Sequence, residues 1–236
     1  MPRDGTTTIC CGATGQGVCQ HVAPGRVYRT RLRRPPVDWS GILRGLWLFL
    51  PAYVANMAPV FVARLIPDWT APIDGGRNAA DGRRILGPGK TWRGLVGGAF
   101  FGGITAIVLS LLAPVTAFVL DTDDFGRSAG ASTSNIFLFG AILGAFALVG
   151  DAVKSYFKRR RAIERGGSWI PFDQLDFVVF GLASIFLFSW LLPTGWVADA
   201  FLSDWVVLAT LLVLTPVLHL SVNRIGYWMG LKDVPW

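Results

Sequence analysis

Three aspartates and a run of basic residues crowd into segment 150–177, although the segments on either side of it carry no Asp, Glu, Lys or Arg. If a helix runs through the first part, four polar residues at positions i, i+3, i+4 and i+7 share one helix face. These residues are Asp151, Lys154, Ser155 and Lys158. Asp173 and Asp176 have the spacing i, i+3, so they also share a face if a helix begins near Pro171. Two helix ends joined by a short loop therefore bring three carboxylates and several cations together.

This combination of charges suits a divalent cation bound to a polyphosphate. Hard oxygen ligands hold Mg²⁺, while lysine and arginine hold phosphate. We therefore predict that Asp151, Asp173 and Asp176 are metal ligands. A simpler explanation covers part of the segment, because arginines such as Arg160 and Arg161 also mark the cytoplasmic side of a membrane protein. It leaves the aspartates unexplained, since acidic residues contribute little to topology and are costly at a membrane boundary unless paired.

A second polar segment, 74–94, carries glycines, arginines and the sequence Lys90-Thr91-Trp92-Arg93. A Walker A loop is excluded, because Arg84 stands where that motif needs its first glycine. What remains is a flexible backbone with Lys90, Thr91 and Arg93 able to contact phosphate. Asp81 is expected to orient these groups or to join the metal shell.

The elements that must position these residues are membrane helices. Five runs without Asp, Glu, Lys or Arg cover 45–63, 94–120, 128–150, 177–198 and 205–223, and each has at least 19 residues. About 18 such residues indicate a membrane span. Five buried helices of a soluble protein would need polar faces on most of them, and these runs have none. The sequence therefore predicts an all-α integral membrane protein with about five transmembrane helices.

The distribution of Lys and Arg predicts the orientation of these helices. The connection 65–93 has five such residues and 151–176 has six, whereas 121–127 has one and 199–204 has none. The two basic loops and the C-terminus are therefore expected in the cytoplasm and the N-terminus outside, although seven arginines in residues 1–44 point the other way. This topology also explains the net charge of +7 and the pI near 9.8, so we expect no nucleic-acid partner.

Two units follow along the chain. Residues 1–40 lack a helical period and a signal-peptide core, so they are expected to be a disordered or wrongly annotated extension. Residues 41–236 form the five-span catalytic domain. In its second span, Gly94, Gly98 and Gly102 are four residues apart and predict a close helix contact.

No nucleophilic triad can be assembled, because His219 is isolated in the last span and His21 lies in the N-terminal extension. The chemistry indicated by the residues is therefore metal-assisted phosphoryl-type transfer without a covalent intermediate on the protein.

At these residues the chain resembles a known family. The pattern GDxxxSxxKRR…PxDQLDF at 150–177 is similar to that of the membrane CTP:phosphate cytidylyltransferases that include the CDP-diacylglycerol synthases. The archaeal branch, the CDP-archaeol synthases, also has patterns matched here by Pro72–Gly76, Asp81–Arg84, Lys90–Gly94 and Leu231–Trp236. The resemblance covers about residues 43–236. The histidine that ends the bacterial-type signature is missing, which favours the archaeal branch.

The resemblance implies transfer of CMP from CTP to 2,3-bis-O-geranylgeranylglycerol 1-phosphate, with release of pyrophosphate, in the cell membrane. The implied partners are CTP, this isoprenoid lipid and the bilayer, and the implied cofactor is Mg²⁺. The residues expected to be catalytic are Asp151, Lys158, Asp173 and Asp176. Those expected to bind substrate are Asp81, Lys90, Thr91, Arg93, Lys154, Ser155 and Arg159.

Two other functions compete with this one. A CDP-alcohol phosphotransferase would need Ala-Arg where Ile85-Leu86 stands, and its downstream aspartate pair is absent. A transporter of a phosphorylated solute would place its polar groups near mid-membrane, whereas here the charges cluster at the boundary.

Overall fold

A computed structural model describes residues 7–11, 18–23, 26–31, 39–120, 125–127, 130–163, 167–191, 197, 201 and 204–230. The chain divides into two compact units, Met1–Asp38 and Trp39–Trp236.

The second unit is built from helices. In chain order they are α1 (Trp39–Leu65), α2 (Trp92–Leu120), α3 (Thr133–Arg160), α4 (Phe172–Leu191), α5 (Trp205–Ala209), a π-helical turn (Thr210–Leu214) and α6 (Thr215–Trp228). Helices α5 and α6 and the turn between them form one continuous rod. Among the described residues, five helices are long and apolar enough to cross a membrane, and α5 to α6 is the fifth. The prediction of an all-α, five-span membrane protein is confirmed for this unit.

Helix α3 lies at the centre of the bundle and packs against α1, α2 and α4. Its buried side chains include Phe139 and Leu143, which belong to one apolar cluster with Phe49 of α1 and Val178 of α4. Many other apolar side chains point outwards, as expected where the surroundings are lipid rather than water. The bundle therefore surrounds α3 with three neighbouring helices.

Glycines bring α2 against α3, as the spacing in the second span predicts. A Cβ atom on Gly102 would lie 2.6 Å from the carbonyl oxygen of Gly140, and one on Gly140 would lie 2.5 Å from the carbonyl oxygen of Gly102. No side chain fits at either position, so the two backbones are in direct contact. Gly98, one turn earlier, meets Leu148 and the carbonyl oxygen of Ala55 in the same way.

The fifth span changes partner along its length. Its first half packs against α1, where Gly45 lets the backbone of Val207 approach, and its second half packs against α4. The π-helical turn lies between the two halves. Just past it, the hydroxyls of Tyr53 and Thr215 form a hydrogen bond across the bundle.

The first unit, in the segment for which we expected a disordered or wrongly annotated extension, contains three antiparallel strands. They are β1 (Thr7–Cys11), β2 (Val18–Ala23) and β3 (Arg26–Arg31), paired in the order β1-β2-β3. Threonine, valine, isoleucine and tyrosine favour extended backbone, and each strand contains at least one of these four residue types. The lack of a helical period in this segment is compatible with these strands.

Candidate active site

The site is built on the C-terminal end of α3 and the N-terminal end of α4. Helix α3 continues without a break past its apolar part, through Asp151 and Lys158 to Arg160. Helix α4 then begins at Phe172, with Asp173 in its first turn. Gly150 permits the two helices to meet, because a Cβ atom there would lie 2.6 Å from the carbonyl oxygen of Asp176. Because Asp151 directly follows Gly150, its carboxylate lies next to the point where α3 and α4 touch.

Lys154 stands at the centre of three carboxylates. Its Nζ atom lies 2.9 Å from Asp151 Oδ1, 2.8 Å from Asp176 Oδ2 and 3.6 Å from Asp173 Oδ1. One ammonium group therefore connects a residue of its own helix with two residues of α4.

Lys158, one turn further along α3, ties Asp173 to the loop between the helices. Its ammonium group donates to Asp173 Oδ1 at 3.0 Å and to the backbone carbonyl of Gly167. Asp173 also accepts a hydrogen bond of 2.6 Å from the backbone N–H of Trp169. These contacts fold the loop back onto the start of α4.

The third cation comes from a different part of the chain. Lys90 precedes α2, and its Nζ atom forms an ion pair with Asp151 Oδ2. Asp151 therefore lies between Lys90 and Lys154, and the loop between α1 and α2 closes over the end of α3.

These six residues form what we call the lysine–aspartate cluster. Its members are Lys90, Lys154, Lys158, Asp151, Asp173 and Asp176. Their side chains are between 6% and 23% exposed, so each charge has lost much of its water. Charges in such places persist only when they are paired. Three ammonium groups balance three carboxylates, so the cluster is electrically neutral as a whole.

Three other predicted residues lie near the cluster but use their side chains to hold backbone. The hydroxyl of Ser155 donates to the carbonyl of Asp151 at 2.9 Å. Thr91 accepts from the backbone N–H of Gly94 at 3.3 Å and thereby caps the start of α2. Arg93 donates to the carbonyls of Ile66 and Pro67, at 2.8 and 2.9 Å, and so closes the end of α1. The structure does not bring the guanidinium group of Arg93 into the cluster.

Asp81 lies in a contact between the same loop and the end of α3. It forms an ion pair with Arg160, whose guanidinium group also donates to the carbonyls of Arg83 and Arg84 at 3.1 and 2.6 Å. Arg83 donates in return to the carbonyl of Arg160 at 3.2 Å. Arg159 forms no ion pair among the described residues, and its buried Nε atom has no hydrogen-bond partner there.

Asp74 belongs to the pattern Pro72–Gly76 but was not among the predicted site residues. Its side chain is 0% exposed and accepts hydrogen bonds from Arg84 Nη2 at 2.8 Å, from the N–H of Gly76 and Leu86 at 3.0 Å, and from that of Gly87 at 3.2 Å. Burial alone would raise the pKa of Asp74, but the bonds from Arg84 and the backbone outweigh it and hold the pKa well below its usual range. The following glycines, Gly75 and Gly76, both have positive φ, so the sequence Asp-Gly-Gly is the available signal for this turn.

Gln174 was missed as well. It lies between Asp173 and Asp176 on α4 and is 1% exposed, and neither atom of its amide has a hydrogen-bond partner among the described residues. A buried amide without partners is unusual. Gln174 is part of the pattern PxDQLDF, which is the available signal for it, but its burial cannot be read from that pattern.

The carboxylates can be tested as ligands for a divalent cation. In the described part of the chain, no three acidic or histidine side chains are placed to share one metal as they stand, because Lys154 occupies the centre of the three aspartates. Asp176 Oδ1, however, is buried without a hydrogen-bond partner. Mg²⁺ commonly binds one or two carboxylates together with phosphate oxygens of the substrate. The donor set fits that mode.

The chain is similar in sequence to proteins of a known family. A family model described as CarS-like, CDP-archaeol synthase, matches residues 39–236. Among curated relatives, the CDP-archaeol synthase of Methanospirillum hungatei is 43% identical over 189 residues, which are 79% of this chain and 99% of the relative. That of Halobacterium salinarum is 41% identical over 197 residues, covering 83% and 97%.

A solved structure, of an intramembrane enzyme for archaeal membrane lipid biosynthesis, is similar in fold. Its TM-score is 0.54 at 28% sequence identity, over 77% of this chain and 94% of that one. The match of the family model over the whole helical unit, with relatives at about 40% identity, leads to one conclusion. This chain belongs to the CDP-archaeol synthase family.

Proposed function

We propose that the chain transfers the cytidylyl group of CTP to the phosphate of an unsaturated archaeal ether lipid, 2,3-bis-O-geranylgeranylglycerol 1-phosphate. The observation that carries the proposal is the lysine–aspartate cluster at the ends of α3 and α4, in a chain of this family. A site at a helix end is reached by a nucleotide from water and by a lipid phosphate from the bilayer.

The reaction needs only one bond to form and one to break at phosphorus. An oxygen of the lipid phosphate attacks the α-phosphorus of CTP, the bond from that phosphorus to the bridging oxygen of the β-phosphate breaks, and pyrophosphate leaves. The products are a CDP-activated lipid and pyrophosphate. Catalysis of such a displacement consists mainly of positioning and of stabilising negative charge.

The lysines of the cluster supply that stabilisation. Lys90, Lys154 and Lys158 form ion pairs with carboxylates, and in the proposed reaction phosphate oxygens take the place of those carboxylates as their partners. Arg159, which has no ion pair among the described residues, is a further phosphate contact. Ser155, Thr91 and Arg93 fix the backbone around these cations and serve the site indirectly.

We also propose that Mg²⁺ assists. Asp151, Asp173 and Asp176 would hold it, and when bound it would neutralise charge on the phosphates. Asp176 is the strongest of the three candidates, because its Oδ1 atom is buried without a hydrogen-bond partner in the described part of the chain. Removing divalent cations with a chelator should abolish turnover, and added Mg²⁺ should restore it.

The central test is to change Asp151 or Asp176 to Asn and to measure pyrophosphate release from CTP with the ether lipid phosphate at saturating Mg²⁺. Each change should lower turnover by about 100-fold or more, because it unbalances the cluster and removes a metal ligand. Asp68→Asn is the matched control, because Asp68 is exposed in the loop between α1 and α2. Near wild-type turnover in both cluster variants would contradict the assignment.

The same assay, run with ether-lipid and diacylglycerol phosphates side by side, tests the substrate class. Formation of pyrophosphate and a CDP-lipid is expected with the ether lipid. A transporter would form neither, and a CDP-alcohol phosphotransferase would consume a CDP-lipid rather than make one.

A further inference from the structure

The position of Lys90 raises a question about the loop that carries it. The other two lysines of the cluster stand on α3, a long helix packed on three sides. Lys90 lies on the connection between α1 and α2, yet its ammonium group meets Asp151 of α3. A flexible loop would hold this contact poorly, because ordering a lysine side chain and its backbone costs conformational entropy. Something must fix the backbone of Lys90.

A ring of hydrogen bonds provides that fixation. The N–H of Lys90 donates to the carbonyl of Gly87 at 3.2 Å, and the carbonyl of Lys90 accepts from the N–H of Ile73 at 2.9 Å. Gly87 in turn donates its N–H to Asp74 Oδ2 at 3.2 Å. Ile73 is the residue before Asp74. The backbone N–H of Lys90 is therefore held by Gly87, which is itself bonded to the carboxylate of Asp74. The backbone carbonyl of Lys90 is held by Ile73, which directly precedes Asp74 in the chain.

The surroundings of Asp74 show that its carboxylate serves the loop alone. The side chain is 0% exposed and receives donors from Arg84, Leu86 and Gly76 in addition to Gly87. Every direction of approach is occupied by a protein group, so the carboxylate has no route to a substrate. Its charge also keeps the guanidinium group of Arg84 in place.

We infer that Asp74 is a positioning residue for the transfer reaction: it shapes the loop so that the ammonium group of Lys90 is presented to Asp151. This rests on the proposed function for its kinetic test, while the structural test below is independent of that function. Asn at this position would keep one acceptor oxygen but place an NH₂ group against backbone N–H donors. The ring around Lys90 would then open.

The structural test is selective labelling of lysines with an amine-reactive acetylating reagent, followed by mass spectrometry. In the wild type, Lys90 is shielded by its ion pair and its side chain is 23% exposed. In Asp74→Asn, labelling of Lys90 should rise about tenfold while Lys154 and Lys158 stay near their wild-type rates, since the α3–α4 contact is untouched. Asp68→Asn, a change of the same type at an exposed position of the same loop, should leave all three unchanged. A lysine-containing peptide added to each sample reports the reagent concentration.

Two results would overturn the inference. No increase at Lys90 would show that its position does not depend on Asp74. A parallel increase at all three lysines would show that Asp74 supports the fold in general rather than Lys90 in particular. If Asp74→Asn cannot be purified folded, Arg84→Gln is the second variant, because it removes the main partner of Asp74 but leaves the backbone bonds. It should raise the labelling of Lys90 by a smaller factor, and no change there would also count against the inference.

The kinetic test is a double-mutant cycle between Asp74 and Lys90. We expect Asp74→Asn to lower kcat/KM for CTP by about 10- to 100-fold, as a misplaced contact does. Lys90→Gln should lower it at least as much, and the double variant should fall no further than Lys90→Gln alone. If the two fold-losses in kcat/KM multiplied in the double variant, Asp74 would act independently of Lys90. If the wild type itself makes no CDP-lipid, the proposed function fails, and the labelling experiment still decides the role of Asp74.

Discussion

Lys154 contacts three carboxylates at once, so the lysine–aspartate cluster depends on it more than on its other members. Its Nζ atom lies within 3.6 Å of Asp151, Asp173 and Asp176. Without it, Asp176, which is 6% exposed, would have no cation among its described contacts. Removing one partner of a buried ion pair costs much more than replacing the whole pair, because the remaining charge is left without compensation.

We therefore expect Lys154→Met to destabilise the protein by about 3 to 5 kcal/mol, measured by thermal unfolding in detergent. Adding Asp176→Asn should recover part of that loss, because the double variant no longer buries an uncompensated carboxylate. Arg77→Met, an exposed cation of the α1–α2 loop, serves as the control and should change stability little. A double variant less stable than Lys154→Met would show that the pairing does not control stability here.

The sequence predicted this chemistry better than it predicted the supporting residues. Asp151, Lys154, Asp173 and Asp176 were recognised because their spacing is unusual beside apolar helices, and the structure brings them together with Lys90 and Lys158. Asp74 was quoted as part of a motif but not given a role, because its importance arises from burial and from four donors that converge only in the folded loop. The burial of Gln174 likewise depends on how α4 packs, which no local pattern reveals.

At the scale of elements, the contact between α2 and α3 joins two backbones directly. Gly102 and Gly140 bring two backbones together with no side chain between them. In membranes, such contacts stabilise helix pairs through packing, since lipid surroundings provide no hydrophobic driving force between helices. Helix α3 carries Asp151, Lys154 and Lys158 of the cluster, and Lys90 directly precedes α2. The contact between the two helices therefore fixes the position of these three residues, along the helix axis, relative to Lys90.

Gly102→Ala should therefore destabilise the bundle by about 1 to 3 kcal/mol. Its new Cβ atom would lie 2.6 Å from a backbone oxygen, which cannot move without shifting a helix. Gly94→Ala, on the same face of α2 two turns earlier, is the matched control, since its Cβ atom would come no closer than 3.3 Å to its nearest neighbour, Pro59. Thermal unfolding in detergent compares the two variants. Equal losses would mean that the backbone contact is not the sensitive feature.

The sequence also predicted most of the elements, for a physical reason. A membrane helix must be apolar along its whole length, so uncharged runs alone locate the five spans. The π-helical turn in the fifth span had no such signal, since its residues Thr210–Leu214 are ordinary for a helix and the distortion accompanies the change of packing partner from α1 to α4. The strands of residues 7–31 carry no helical period, so the pattern that locates the spans does not reveal them.

At the scale of the whole molecule, the helices alternate in direction and the two basic loops lie at one end. Contacts between Arg83 and Arg160 join the loops there, while Arg44 and Asp204 form an ion pair at the other end of α1. The excess of Lys and Arg predicts that the end with the cluster faces the cytoplasm.

Cysteine labelling in intact cells tests this orientation. In a variant without the native cysteines, Ala80→Cys in the α1–α2 loop should be protected from a membrane-impermeant reagent, and Thr133→Cys at the start of α3 should react. Both positions are exposed. Permeabilised cells provide the control, since both should then react. The opposite pattern in intact cells would reverse the orientation and place the site outside.

The neutrality of the lysine–aspartate cluster has a consequence for how a nucleotide is admitted. The positive charges of the three ammonium groups are already compensated by the three carboxylates, which act as internal counter-ions. An incoming triphosphate gains little by attraction from a distance, because the net field of the cluster is small. In the proposed reaction it would bind by displacing carboxylates from the ammonium groups, and each displacement would leave an acceptor that needs another positive partner. Admission of the nucleotide and recruitment of further positive charge are therefore linked events, and a ligand with fewer negative groups cannot complete the exchange.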